Sequence, residues 1–105
     1  MKAFELNKIK QEHSTLNELY LEFLRESSMS MGLYILPAGG TDPQSPHNED
    51  EVYVVLNGRA QIMVDGEDRP VQKGSIVFVG KHMEHRFHSI EEDLEVLVFF
   101  APAES

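Results

Sequence analysis

Cysteine is absent from the 105 residues, which removes disulfides and thiolate-bound metals from consideration. Positive charge is scarce: 9 lysines and arginines stand against 18 aspartates and glutamates, a formal net charge of −9. Such a chain offers no basic surface to phosphates, so nucleic acid is not an expected partner. Long apolar runs are missing as well. No stretch approaches the roughly 18 uninterrupted apolar residues of a membrane span, and no membrane partner is expected. The opening residues, Met1-Lys-Ala-Phe-Glu-Leu-Asn-Lys, lack the apolar core of a secretory signal, so the expected location is cytoplasmic. Gly39-Gly40 is the one glycine pair, and it lacks the lysine and following helix of a phosphate-binding loop. No serine sits in a Gly-x-Ser-x-Gly elbow, so nucleophilic hydrolysis has no visible machinery.

What is there fits a single domain with one modest core. Short β-branched and aromatic runs recur with turn residues between them. Leu19 to Arg25 is expected as a strand, although Thr15 and Glu18 resemble a helix capping box. Met29 to Leu36 is a strand stopped by Pro37-Ala38-Gly39-Gly40, and Glu51 to Leu56 is a strand ended by a hairpin turn at Asn57-Gly58. Arg59 to Val64 ends at Asp65-Gly66, another turn signal. Ser75 to Val79 and Leu94 to Phe100 complete the set, with Glu91-Glu92-Asp93 as a charged turn and Pro102 as the stop. This pattern predicts an all-β, antiparallel sandwich or barrel. The expected division is an N-terminal extension over 1–18, carrying a short peripheral helix capped by Asn7, and a barrel over 19–101.

The stretch with most chemistry is Pro46-His-Asn-Glu-Asp-Glu-Val-Tyr-Val-Val-Leu-Asn-Gly58. If it is extended, His47, Glu49 and Glu51 share one face. Imidazole and carboxylate on one face of a strand make a metal-site hypothesis, and a second histidine cluster follows around His85. His13 is expected to be exposed, His82 to lie on the surface at a turn, and His88 to face away from His85.

These residues resemble the cupin family, specifically its small single-domain members, whose fold is a jelly-roll barrel or double-stranded β-helix. Its first motif is commonly written G-x5-H-x-H-x3-4-E-x6-G. Glu51 and Gly58 fit the end of that motif, and His47 falls on its second histidine. In the second motif, G-x5-P-x-G-x2-H-x3-N, Gly74 and His85 match. The resemblance spans Gly40 to Ser89. It departs where Ser45 stands at the first histidine, and where Gly80, His82 and Ser89 replace the proline, the second glycine and the asparagine.

The resemblance implies His47, Glu51 and His85 as metal ligands. Two imidazoles and one carboxylate form a facial triad suited to Fe, Mn, Ni or Zn as one divalent ion, leaving positions open for water or substrate. Gln44 or a water is a possible fourth ligand, and Ser45 a weak one. Gln44, Ser45, Tyr53, Phe87 and Phe99 are the expected pocket residues. The expected function is that of a metal-dependent enzyme, of oxygenase or isomerase type, acting on a small polar molecule. The alternatives are a non-catalytic binding or sensing module for a small-molecule ligand, and a structural barrel dimer with a vestigial site; fold alone does not choose between them. A homodimer is expected, because Val52–Leu56, Ile76–Val79 and Leu94–Phe100 are apolar on both faces and one face fills the barrel.

Overall fold

Two long strands carry the fold in the computed structural model, which describes residues 1–105. They are β3, Asp50–Val64, and β6, His85–Ala101, paired antiparallel along nearly their whole length. Both are rich in the β-branched and aromatic residues that suit a pleated, half-buried surface. β2, Ser30–Leu36, lies along the second half of β6, and β1, Tyr20–Arg25, lies outside β2. β4, Glu67–Gln72, pairs with the second half of β3, and β5, Ile76–Val79, with its first half. The sheet order is β1-β2-β6-β3-β4, with β5 against β3. Every pairing is antiparallel. The sheet wraps round a single core as an open, barrel-like jelly roll.

Alternation along the strands fills that core. Tyr53 and Val55 of β3, Phe87, Leu94, Val96, Val98 and Phe100 of β6, and Leu36 of β2 are all buried together. Each such side chain contributes roughly 1.5–3 kcal/mol through the area it removes from water. One helix, α1, Leu6–Ser14, lies against β1 and β2. It buries Ile9 and His13, and His13 Nε2 lies 2.7 Å from the carbonyl oxygen of Leu19.

Several local expectations need correction. His13 is buried, because the helix end brings its ring against the start of β1. The helix begins after Glu5, whose side chain makes no capping bond, so Asn7 is within the helix and does not cap it. Thr15 closes the helix instead, its hydroxyl donating to the Glu12 carbonyl at 2.8 Å.

Asn57-Gly58 makes no hairpin. β3 runs straight through it, and the register against β6 shifts on either side of Asn57. Gly58 has φ +98°, and a Cβ there would fall 2.3 Å from the Asp93 carbonyl oxygen. The positive φ is used for a bulge that lets β6 pass close by. Across from it, Glu91-Glu92-Asp93 is no turn but part of β6. Arg59 of β3 faces Glu92 and reaches Glu91 at 3.3 Å, so the charges sit at exposed positions of the β3–β6 pairing, where its register shifts. Asp65-Gly66 does form the expected hairpin, with φ of 49° and 84°, the two positive values a type I′ turn requires.

Candidate metal centre

The site lies where the loop before β3 meets the two long strands. Glu51 is the second residue of β3 and its side chain points inward; it pairs across the sheet with Phe100 on one side and Val79 on the other. His85 opens β6 on the same inner face and is buried. His47 comes from the loop, and its backbone carbonyl accepts from the His82 amide at 2.7 Å, which ties the loop to the turn ahead of β6. One ligand atom from each of His47, Glu51 and His85 lies within 4.8 Å of the others.

The distances are those of a group built to share something. His85 Nε2 is 3.0 Å from Glu51 Oε1, and His47 Nε2 is 3.8 Å from the same oxygen. With ligand bonds of about 2.0–2.2 Å, two donors on one ion stand no more than about 4.4 Å apart, so both separations are compatible with a common ion. The Nδ1 of His85 lies 2.9 Å from the Met83 carbonyl oxygen, a position in which Nδ1–H donates and Nε2 keeps its lone pair. That is the outer-shell arrangement of a metal-ligating histidine. Neither His85 Nε2 nor Glu51 Oε2 has a hydrogen-bond partner, although both are buried. The contact with Oε1 lacks hydrogen-bond alignment.

Two lone-pair-bearing atoms so close need a cation or a proton between them. Burial alone would lower the pKa of His85, but the close Glu51 carboxylate and the hydrogen bond to the Met83 carbonyl outweigh burial and raise it. The donor set, two imidazoles and a carboxylate with unpaired buried atoms, therefore fits a divalent ion.

Around the triad, Gln44 is held firmly. Its Oε1 accepts from the Tyr53 hydroxyl at 3.0 Å and stands 3.1 Å from His47 Nε2, while its Nε2 donates to Asp42 at 2.8 Å. Asp42 also accepts from the Tyr34 hydroxyl at 2.5 Å and from the Phe87 amide at 2.9 Å. This one carboxylate clamps the loop to β2 and β6. On the far side, His47 Nδ1 meets Glu104 Oε2 at 3.1 Å. Burial, more than any neighbouring charge, raises the pKa of Glu104.

A cavity of about 120 Å³ opens beside His47, lined by Tyr20, Tyr34, Gln44, Val98, Phe100 and Glu104. Of the expected pocket residues only Gln44 lines it. Tyr53 and Phe87 are fully buried in the core, their rings 4.9 Å apart, and do not line it. Ser45 is exposed and lines a second groove, which it shares with Gln44, Glu84, His85 and Arg86. Phe99 points to the outer face of the sheet. Its neighbour Phe100 takes the inner place, with its ring 4.9 Å from that of His47. Glu49 is also turned away from the triad, and accepts from the amide and hydroxyl of Ser105 at 3.1 and 3.0 Å. The chain turns before β3 begins at Asp50, so His47, Glu49 and Glu51 do not share one strand face. His82 is exposed, and the exposed edge of His88 meets Asp68 on the outer side.

Tyr20, Tyr34, Phe100 and Glu104 are the site residues that sequence reasoning missed. Phe100 was within reach, since Glu51 and Phe100 are cross-strand partners. Nothing local marks Asp42 or Glu104.

Comparison with known proteins agrees with this architecture. A family model described as "Cupin domain" matches residues 32–100. An uncharacterized protein, SCO3923, of Streptomyces coelicolor is 52% identical over 105 residues, covering 100% of both chains. Among solved structures, a Cupin 2 conserved barrel domain protein from Salinispora arenicola superposes with a TM-score of 0.75 at 16% identity, covering 96% of this chain and 88% of that one. The DMSP lyase DddQ from Ruegeria pomeroyi gives a TM-score of 0.71 at 20% identity and covers 84% of this chain. This chain spans 49% of that enzyme's length. With the matched family span taking in both strands that carry Glu51 and His85, this chain belongs to the cupin family.

Proposed function

We propose that this cupin holds one divalent metal ion through His47, Glu51 and His85, and uses it as an enzyme of oxygenase or isomerase type on a small polar molecule. The observation that carries this reading is the pair of unpartnered buried atoms, His85 Nε2 and Glu51 Oε2, within a group that His47 completes. An unsatisfied buried polar atom costs about 1–3 kcal/mol, more for a charged one, and a ligated ion removes that cost. Bound there, the ion would supply Lewis-acid polarisation of an oxygen or, if redox-active, electron transfer.

The chain's own residues prepare the place. Met83 holds the His85 tautomer, Asp42 holds Gln44, and Gln44 and Glu104 bracket the His47 ring. Tyr34, Val98 and Phe100 present apolar walls to whatever enters beside His47. The DMSP lyase shows that this fold can carry a lyase; the reaction class proposed here rests on the donor set of this chain.

Elemental analysis of purified, untagged protein tests the reading, with the His47→Ala/His85→Ala double variant alongside. The expected result is close to one ion per chain in the parent and near none in the variant. Full metal content in the double variant would place the ion elsewhere.

A further inference from the structure

Of the side chains that line the cavity beside His47, one has a buried polar atom with no hydrogen-bond partner at all. The other polar groups are engaged: Tyr34 donates to Asp42, Gln44 is held by Asp42 and Tyr53, and Glu104 faces His47. The Tyr20 hydroxyl is buried without a partner. Packing fixes the phenol in this place. Tyr20 pairs with Tyr34 across β1 and β2, and its ring lies over Gly32 of β2. A Cβ on Gly32 would fall 2.1 Å from the Tyr20 Cζ, so the missing side chain is what admits the ring. Edge contacts to Tyr34 and Phe100, at 6.1 and 6.4 Å between centroids, hold it from the sides.

Charge narrows what the hydroxyl meets. Glu51, Glu104 and Asp42, the last bonded to Tyr34 and Gln44, bring three carboxylates to the site, so one divalent ion leaves it with negative charge to spare. An anionic ligand would add an unbalanced charge beside Glu104, whereas a neutral one would not. Burial first, and then the charges of Glu104, Glu22 and Glu51, hold the Tyr20 pKa well above its ordinary value, so the group donates and does not act as a base.

We propose that the cavity binds a small neutral molecule bearing a carbonyl oxygen, which accepts a hydrogen bond from the Tyr20 hydroxyl while its apolar part packs against Tyr34, Val98 and Phe100. This inference rests on the metal reading of His47, Glu51 and His85, because the charge balance includes the ion.

Acetamide and acetate, equal in size and different in charge, are the probes. Each is titrated into zinc-loaded protein with ligand-observed NMR as the readout. Wild-type protein is expected to bind acetamide more tightly than acetate. Tyr20→Phe should weaken acetamide about fivefold to tenfold, the value of one hydrogen bond, with zinc content unchanged. Equal acetamide affinity in wild type and Tyr20→Phe, or tighter acetate than acetamide binding, overturns the proposal while the metal reading stands. A wild-type protein that takes up no zinc removes the metal reading and the charge argument together. The acetamide–acetate comparison needs only the wild-type chain, so it decides the ligand class even if Tyr20→Phe does not fold.

Discussion

At the scale of single residues, the centre depends on which atoms are left without partners. His85 spends Nδ1 on the Met83 carbonyl and keeps Nε2 facing Glu51. His85→Ala should therefore cost more metal affinity than the roughly 10–100-fold that loss of an outer-shell partner brings; competition with a chromophoric chelator measures it. Asp42 carries a different burden. It accepts from Tyr34, Phe87 and both nitrogens of Gln44. Asp42→Ala leaves several of those donors unpaired, and should lower stability by about 2–4 kcal/mol in urea unfolding. Metal affinity should fall with it, because Gln44 no longer brackets His47. An Asp42→Ala protein with unchanged urea midpoint would show that the clamp is not formed in solution.

At the scale of elements, the glycines separate clash from strain. Gly58 combines positive φ with backbone 2.3 Å from any Cβ, whereas Gly66, at φ +84°, has nothing within 4 Å of one. Gly66→Ala should cost about 1–2 kcal/mol, the ordinary penalty of the left-handed region. Gly58→Ala adds overpacking against Asp93 and Leu94, and should cost about 3–5 kcal/mol. Equal unfolding midpoints for the two variants would contradict the bulge. The hairpin at Asp65-Gly66 was legible because β4 follows it at once as a partner for β3. The same kind of signal at Asn57-Gly58 misled, because β6, a strand distant in sequence, already occupies that edge.

At the scale of the whole molecule, the outer face of the sheet carries cross-strand rows that continue from strand to strand. Phe78, Val52, Phe99 and Met31 form one row, and Ile76, Val54, Leu97 and Leu33 the next. α1 lies over the β1–β2 end, where Leu33 is fully buried, while Ile76 and Phe78 are 72% and 62% exposed. A contiguous apolar face of this kind is expected to meet a second copy across a two-fold axis. The free edge of β1 is available to extend the contact. Light scattering at micromolar concentration should report twice the chain mass, with an interface above about 1,000 Å² in total. Ile76→Asp/Phe78→Asp should yield folded monomer; a wild-type monomer would overturn the dimer. Metal removal acts on the same scale. An ion present at 100 times its Kd adds about 2.7 kcal/mol to the folded state. Chelation should therefore lower Tm by roughly 10–20 °C, checked by scanning calorimetry with and without a chelator.

Sequence by itself determined the strand content, the antiparallel class and the candidates His47, Glu51 and His85. Each depends on local chemistry: β-branched runs, turn dipeptides, and histidine and carboxylate types at motif spacing. Only the tertiary structure decided which faces look inward. Phe99 and Phe100 differ by one residue, and one residue is all that separates the core face of a strand from the outer face. The register of β6 against β3 and β2 settles that choice, and no stretch of β6 alone contains it. Asp42 and Glu104 likewise gain their roles from neighbours far along the chain, Phe87 lying 45 residues from Asp42. Hydrogen bonds across such separations exist only once the sheet has wrapped, which is why the surroundings of the candidate metal centre were unreadable where its three candidate ligands were not.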